Sequence, residues 1–395
     1  MKAPCCIGFW SLILALDPLA AQEREGAFSS MFDKVGHFVL TTFQRPIRPV
    51  VETTAPGSGI AIGVGVEALR RGAWLLEGKA TASVHSFTSG QALAGYLSQR
   101  FSVSAYGQSS DAPRLEYFGQ GMQSDERDRS GYRQIDHTIG VASSYRVTSW
   151  LGIGARVELL RPAIRRGRAN TVPDLHDVFV MPEPPGLTQQ PRFRRYAMDV
   201  FVDVPASAAE DVNQGGQLYA GFAAYRDRDL DAYSFRRMDI GLHYDFAVAG
   251  SLRRLLIDAR ATRMLASGGN TVPFYFQPTL GRYRAPTLAP YRNIEVLEPR
   301  AALRGYANQR FRDQHSVVVQ TEYRHTLWGP VAAALFAEAG QVAPRMRAFT
   351  LARTERDIGI GFVLMRGIAP AMRADVAVGS EGMRFLVQAG RALLP

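Results

Sequence analysis

The chain has 395 residues, 46% of them hydrophobic, a formal net charge of +10 and two cysteines, which is enough for one large domain or two ordinary ones. Three of the 46 basic residues are lysines (Lys2, Lys34 and Lys79), leaving 43 arginines spread along the chain rather than clustered. This weighs against nucleic acid and suits a phosphorylated membrane surface, because the planar arginine fork binds phosphate bidentately. No apolar run after residue 21 approaches 18 residues, which excludes membrane-spanning helices.

The chain opens as an export signal. Lys2 supplies a positive start, residues 7–16 (IGFWSLILAL) an apolar core, Asp17-Pro18 a break, and Leu19-Ala20-Ala21 a cleavage site, so residues 1–21 read as a signal peptide. Cys5 and Cys6 both lie inside it, and the processed chain is expected to hold no disulfide and no thiolate metal site. Residues 22–56 read as a short periplasmic segment, in which 35–40 (VGHFVL) could plug a lumen or lie at the membrane.

From residue 57 to the end the signal has period two. Met238, Ile240, Leu242, Tyr244 and Phe246 alternate with Asp239, Gly241, His243 and Asp245. Similar rows recur at Ile60/Ile62/Val64/Val66, Leu151/Ile153/Ala155/Val157, Tyr196/Met198/Val200/Val202/Val204, Leu255/Ile257/Ala259/Ala261, Ile358/Ile360/Phe362/Leu364 and Met372/Ala374/Val376/Val378. Their opposite faces carry Gly63/Gly65, Gly152/Gly154/Arg156/Glu158, Asp258/Arg260 and Arg373/Asp375. Tiny or charged inner residues fit a wet lumen better than a dry sandwich core. The predicted fold is therefore all-β, a transmembrane antiparallel barrel with its apolar faces toward lipid.

Fourteen strands are countable, near 57–68, 73–87, 91–107, 131–146, 149–161, 192–204, 215–228, 234–248, 251–265, 314–326, 330–341, 354–366, 370–380 and 382–390. Residues 272–281 are an uncertain extra, and even strand numbers make fourteen or sixteen the choice. Long polar stretches at 108–130, 162–191 and 266–313 read as loops.

Catalytic and metal signals are weak. None of His37, His85, His137, His176, His243, His315 and His325 shows ligand spacing, so no metal or other cofactor is expected. No G-x-S-x-G elbow occurs. His137 and His243 sit on strands beside serines, which keeps a membrane-embedded hydrolase as an alternative.

Residues 303–313 (LRGYANQRFRD) are different. The strand after them turns Glu322 inward, and the next turns Glu338 inward. If the loop folds into the lumen, Arg304 can reach both carboxylates, and Gly305 would allow a tight turn at the tip. A solvated extracellular loop is the other reading of these residues.

This stretch, followed by VVVQTEYRHTLWGPVAAALFAEAG, resembles the bacterial surface antigen family, the BamA/TamA-type barrels of outer-membrane assembly and two-partner secretion. Leu303, Arg304, Gly305 and Tyr306 match the family's Val/Ile-Arg-Gly-Phe/Tyr motif, and Glu322 and Glu338 match the acidic partners of its arginine. Residues 116–121 (EYFGQG) resemble an aromatic-Gly-x-Gly loop of members without periplasmic POTRA modules. The likeness implies sixteen strands, a barrel over 57–395 with lumen loop 266–313, and an outer-membrane location. It also implies a non-enzymatic role in inserting or translocating proteins or lipids. Three departures stand out: residues 22–56 are too short for a POTRA module, position 338 is Glu where Asp is common, and the chain ends RALLP, leaving Phe385 as the terminal aromatic.

The implied mechanism opens a seam between the first strand, read as 57–68 with Gly59, Gly63 and Gly65, and the last, with Phe385. Expected partners are outer-membrane lipids including lipopolysaccharide, an unknown client, and a separate periplasmic protein, with no nucleic acid. A passive pore and an outer-membrane hydrolase are the alternative functions.

Overall fold

A computed structural model describes residues 47–53, 57–168, 172–205, 215–248, 252–281, 291, 302–366 and 369–389. The signal peptide with Cys5 and Cys6, most of the 22–56 segment, His37 and the RALLP tail lie outside the described residues.

Sixteen strands form one antiparallel sheet in chain order. They are β1 (Ile47–Glu52), β2 (Ala61–Arg71), β3 (Trp74–Ser83), β4 (Thr88–Leu97), β5 (Phe101–Tyr117), β6 (Ser130–Arg146), β7 (Leu151–Arg166) and β8 (Phe193–Pro205). There follow β9 (Gly215–Asp227), β10 (Phe235–Ala247), β11 (Arg253–Ala266), β12 (His315–Trp328), β13 (Val331–Ala343), β14 (Glu355–Arg366), β15 (Ala369–Gly379) and β16 (Gly382–Ala389). The edge strands β1 and β16 approach each other, but among the described residues no ladder joins them. The barrel is therefore nearly closed, with a seam at one place.

The polarity is that of a barrel bathed in lipid. Ile62, Ile139, Met198, Leu335 and Phe362 point outward, while Glu158, Asp199, Asp258, Glu322 and Asp375 are buried inside. Desolvated inner charges need partners, and neighbouring strands, or for Glu52 the next strand but one, supply them. Glu52 pairs with Lys79 at 2.8 Å, Asp199 with Arg156 at 3.0 Å, Glu158 with Arg195 at 3.0 Å, and Asp258 with His243 at 2.8 Å.

Four expectations need correction. The first strand is Ile47–Glu52, so the barrel starts before residue 57, and Gly63 and Gly65 belong to β2 while Gly59 precedes it. These glycines do not flank the seam. Gly63 instead has no room for a side chain, since a Cβ there would lie 2.0 Å from the Ala80 carbonyl oxygen. Residues 91–107 split into β4 and β5 around a short turn. Residues 272–281 form no strand; Phe274–Phe276 make a single 3-10 turn.

Candidate functional site

The connection between β11 and β12 folds into the lumen. Its Phe274 and Tyr275 pack with Tyr117 of β5 and Tyr132 of β6 in a buried aromatic cluster, and Val272 joins Phe193, Tyr225 and Phe235 in another. Leu303, Tyr306 and Phe311 pack with Val318 of β12 and Val342 of β13.

Arg304 is the hub of the inward fold. Its Nε donates to Glu338 Oε1 at 2.5 Å, and its main-chain N–H donates to Glu338 Oε2 at 2.6 Å. Nη1 donates to Glu322 Oε2 at 3.2 Å and to Asp375 Oδ2 at 3.3 Å. The guanidinium carbon also lies 3.3 Å from the centroid of the Phe336 ring, a desolvated cation–π contact. Arg324 and Arg373 share Glu322 at 2.7 and 2.9 Å, and Arg373 also holds Asp375 at 2.7 Å. The fourth carboxylate, Asp357 of β14, stands opposite Glu338 in the register and accepts from the Gly305 N–H at 2.6 Å. Three arginines thus face four carboxylates on β12, β13, β14 and β15.

The glycines of this wall make the geometry possible. A Cβ on Gly359 would fall 2.2 Å from the Phe336 ring, and one on Gly361 would fall 2.0 Å from Asp375 Oδ1. The aromatic ring under Arg304 and the carboxylate beside it therefore lie flat against bare backbone. Gly305 itself is not in the left-handed region. It lies in the expected turn and is needed there for proximity rather than for its φ, because a Cβ would meet Asp357 Cβ at 2.8 Å and the Gly379 nitrogen at 3.0 Å. Tyr306 completes the motif: its hydroxyl donates to Glu355 Oε2 at 2.7 Å and accepts from the Ser380 N–H at 3.2 Å. Burial, reinforced by Glu355, pushes the Tyr306 hydroxyl above its ordinary pKa and keeps it a donor.

The rest of the stretch is anchored too. Arg310 Nε donates to Glu381 Oε1, in the β15–β16 turn, at 2.7 Å, and its Nη2 donates to the Ser124 carbonyl at 2.6 Å. Arg312 Nη1 donates to the Phe274 carbonyl at 2.5 Å, and Nη2 to Gln309 Oε1 at 2.9 Å. The aromatic-glycine stretch comes to the same place. Gly119 and Gly121 have φ of 92° and 86°, Gly121 N–H donates to the Arg312 carbonyl at 2.7 Å, and Gln120 Nε2 donates to Asp313 at 3.1 Å. From that loop Glu126 reaches Arg384 of β16 at 2.5 Å.

A second anchor carries no signal in the sequence. Tyr291 docks on the wall of β7 and β8, where its hydroxyl donates to Asp199 Oδ2 at 2.5 Å and its ring lies 5.6 Å from the Arg156 guanidinium carbon. It fills the place of a side chain at Gly154, where a Cβ would fall 2.4 Å from the ring.

The other candidates are not drawn together. His137 faces outward and exposed, while His243 pairs with Asp258, and among the described residues neither hydrogen-bonds a serine. Phe385 sits on β16, 70% exposed on the lipid side. Among the described residues no group of three or more His, Cys, Asp and Glu side chains could hold a metal ion.

No protein-family model matches the sequence, and no curated protein matches it. Solved structures do. BamA from Haemophilus ducreyi lacking POTRA domains 1–3 aligns with a TM-score of 0.57 at 11% identity, over 88% of this chain and 71% of that one. CdiB from Escherichia coli aligns at 0.53 with 11% identity, over 87% and 62%, and CdiB from Acinetobacter baumannii at 0.52 with 10% identity, over 86% and 59%. The chain thus spans about three fifths of the two CdiB chains. At these identities the likeness is one of fold: this chain is built as a sixteen-stranded β-barrel of the BamA and CdiB kind.

Proposed function

We propose that this barrel sits in the bacterial outer membrane and inserts or translocates proteins or lipids there through the seam between β1 and β16. The observation that carries the reading is the missing ladder at that seam, beside a lumen loop held by Arg304 on the adjoining wall. An open sheet edge within a bilayer leaves backbone groups unpaired, which is costly unless another strand can take them up. A client strand is such a partner. The fold shared with BamA and CdiB supports the reading, and a separate periplasmic protein would deliver the client.

On this reading the chain has no catalytic centre. The test is reconstitution into liposomes with a urea-denatured client barrel. Faster client folding is expected, and it should stop when cysteines placed within 48–51 of β1 and 384–388 of β16 are oxidised together. Ion conductance without client folding would make the protein a passive pore, and lipid turnover would make it a hydrolase; either result overturns the proposal.

A further inference from the structure

Five adjacent strands, β7 to β11, end their outward apolar rows in the same way. On β7 the row Ile153, Ala155, Val157, Leu159 is followed by Arg161, and on β8 Val200, Met198, Tyr196 by Arg194. On β9 the row Leu218, Ala220, Phe222, Ala224 is followed by Arg226; on β10 Leu242, Ile240, Met238 by Arg236; and on β11 Ile257, Ala259, Ala261 by Arg263. All five arginines are exposed, and all lie on the rim that carries the long β7–β8 and β11–β12 connections.

The register makes them one belt. Arg194 stands directly opposite Arg226. Arg161 is diagonal to Arg194, Arg226 to Arg236, and Arg236 to Arg263. Diagonal neighbours on one face are about 7–8 Å apart, within reach of long side chains, and like charges directly opposite destabilise a sheet. Yet none of the five makes an ion pair among the described residues. Other arginines at this rim are neutralised: Arg133 on β6 by Asp111, and Arg192 beside β8 by Asp229 at 2.7 Å. A row of guanidiniums without an ion pair among the described residues, just above an apolar band, calls for anions at that one height.

We propose that the Arg161–Arg194–Arg226–Arg236–Arg263 belt binds the phosphate groups of a glycolipid in the outer leaflet. In bacterial barrels the longer loops face the cell exterior, which puts the belt at the outer headgroup level. Guanidinium forks match phosphate oxygens. Phosphates bridging neighbouring arginines would convert their mutual repulsion into attraction. The inference uses the membrane placement proposed above and is independent of any activity at the seam.

The test compares the folded full chain with the triple variant Arg194→Gln/Arg226→Gln/Arg236→Gln. A control, Arg345→Gln/Arg347→Gln/Arg353→Gln, removes the same charge from exposed arginines of the β13–β14 connection. All three are checked for the heat-modifiable gel mobility of a closed barrel. They are then titrated in detergent with bis-phosphorylated lipid A, with its dephosphorylated form, and with inorganic phosphate as competitor, and bound lipid is counted by native mass spectrometry. At roughly fivefold per guanidinium near an anionic surface, the belt variant is expected to bind lipid A on the order of a hundredfold more weakly. The control should bind like the parent, and the dephosphorylated lipid should bind none of them well. The proposal is overturned if the belt variant binds like the parent, if the control loses as much affinity, if the phosphate-free lipid binds equally, or if millimolar inorganic phosphate alone displaces the lipid.

Discussion

Removing Arg304 tests the site most sharply, because the loss should be partly repaired by removing one of its partners. Arg304, Arg324 and Arg373 face Glu322, Glu338, Asp357 and Asp375. The Arg304 side chain is 5% exposed, and those of Glu338 and Asp375 are 0% exposed, so water can compensate little. Arg304→Ala leaves two cations against four carboxylates, with Glu338 and Asp357 directly opposed. Breaking a buried pair costs about 3–5 kcal/mol, most of it from the charge left behind. Glu338→Gln keeps an acceptor for Arg304 and should cost less, about 1–2 kcal/mol. In the Arg304→Ala background the same Gln removes a stranded charge, so the double variant should be more stable than Arg304→Ala alone. Urea unfolding of vesicle-embedded barrels, followed by tryptophan fluorescence, gives the three free energies. If Glu338→Gln lowers stability equally with and without Arg304, the two residues do not interact and the reasoning fails. Arg304→Lys should recover only part of the loss, since one ammonium cannot span three carboxylates.

Further outcomes follow from the same contacts. Gly305→Ala forces a methyl against Asp357 and Gly379 and should cost about 1–3 kcal/mol by the same unfolding assay. Gly154→Val should expel Tyr291 from its place between β7 and Asp199; single-channel recording in planar bilayers should then show conductance above the parent's, whereas Gly107→Ala, with nothing within 4 Å of its added Cβ, should not. Tyr291→Phe removes only the hydrogen bond to Asp199 Oδ2, which keeps Arg156 at 3.0 Å, and should cost about 1–2 kcal/mol for one lost bond to a charged acceptor. In the β9–β10 loop, hydrogen bonds from Arg192 hold the Asp229 carboxyl down at about 2. A carboxyl lowered in the folded state adds stability above the ordinary carboxylate range and loses it as pH falls toward 2. Thermal unfolding from pH 7 downward should therefore show Asp229→Asn converging on the parent at the acid end.

The strands from β6 onward were legible because each alternates over many residues, with lipid demanding an apolar row and the lumen a polar one. β1 was not. Its six residues, IRPVVE, hold a proline and no clean alternation, and they read as linker until pairing with β2 defines them. The division of 91–107 was hidden because the turn at 98–100 (SQR) has neither glycine nor proline. In the site, Arg304, Glu322 and Glu338 could be singled out from spacing. Asp375 was visible as an inward residue but not as a partner of Arg304, and Asp357 was missed, since register between distant strands decides which carboxylates meet. The alternating glycines suggested a wet lumen. They are instead seats for Phe336, Asp375 and Tyr291, which no local pattern announces. Tyr291 is one of two tyrosines in a Pro-rich stretch, and only the facing wall gives it meaning.

The two lips of the seam are unequally held. The β15–β16 hairpin is gripped from within the lumen: Glu126 holds Arg384, and Arg310 holds Glu381 in its turn. Strand β1 is tied on its side away from the gap, its Arg48 to Glu67 on β2 and its Glu52 to Lys79 on β3. Parting the lips without breaking the lumen ties therefore means swinging the N-terminal lip while the C-terminal one stays as the fixed jaw. The backbone edge that travels is then the short, proline-bearing one, and the edge left standing is the one whose side chains already lean on the inner loops.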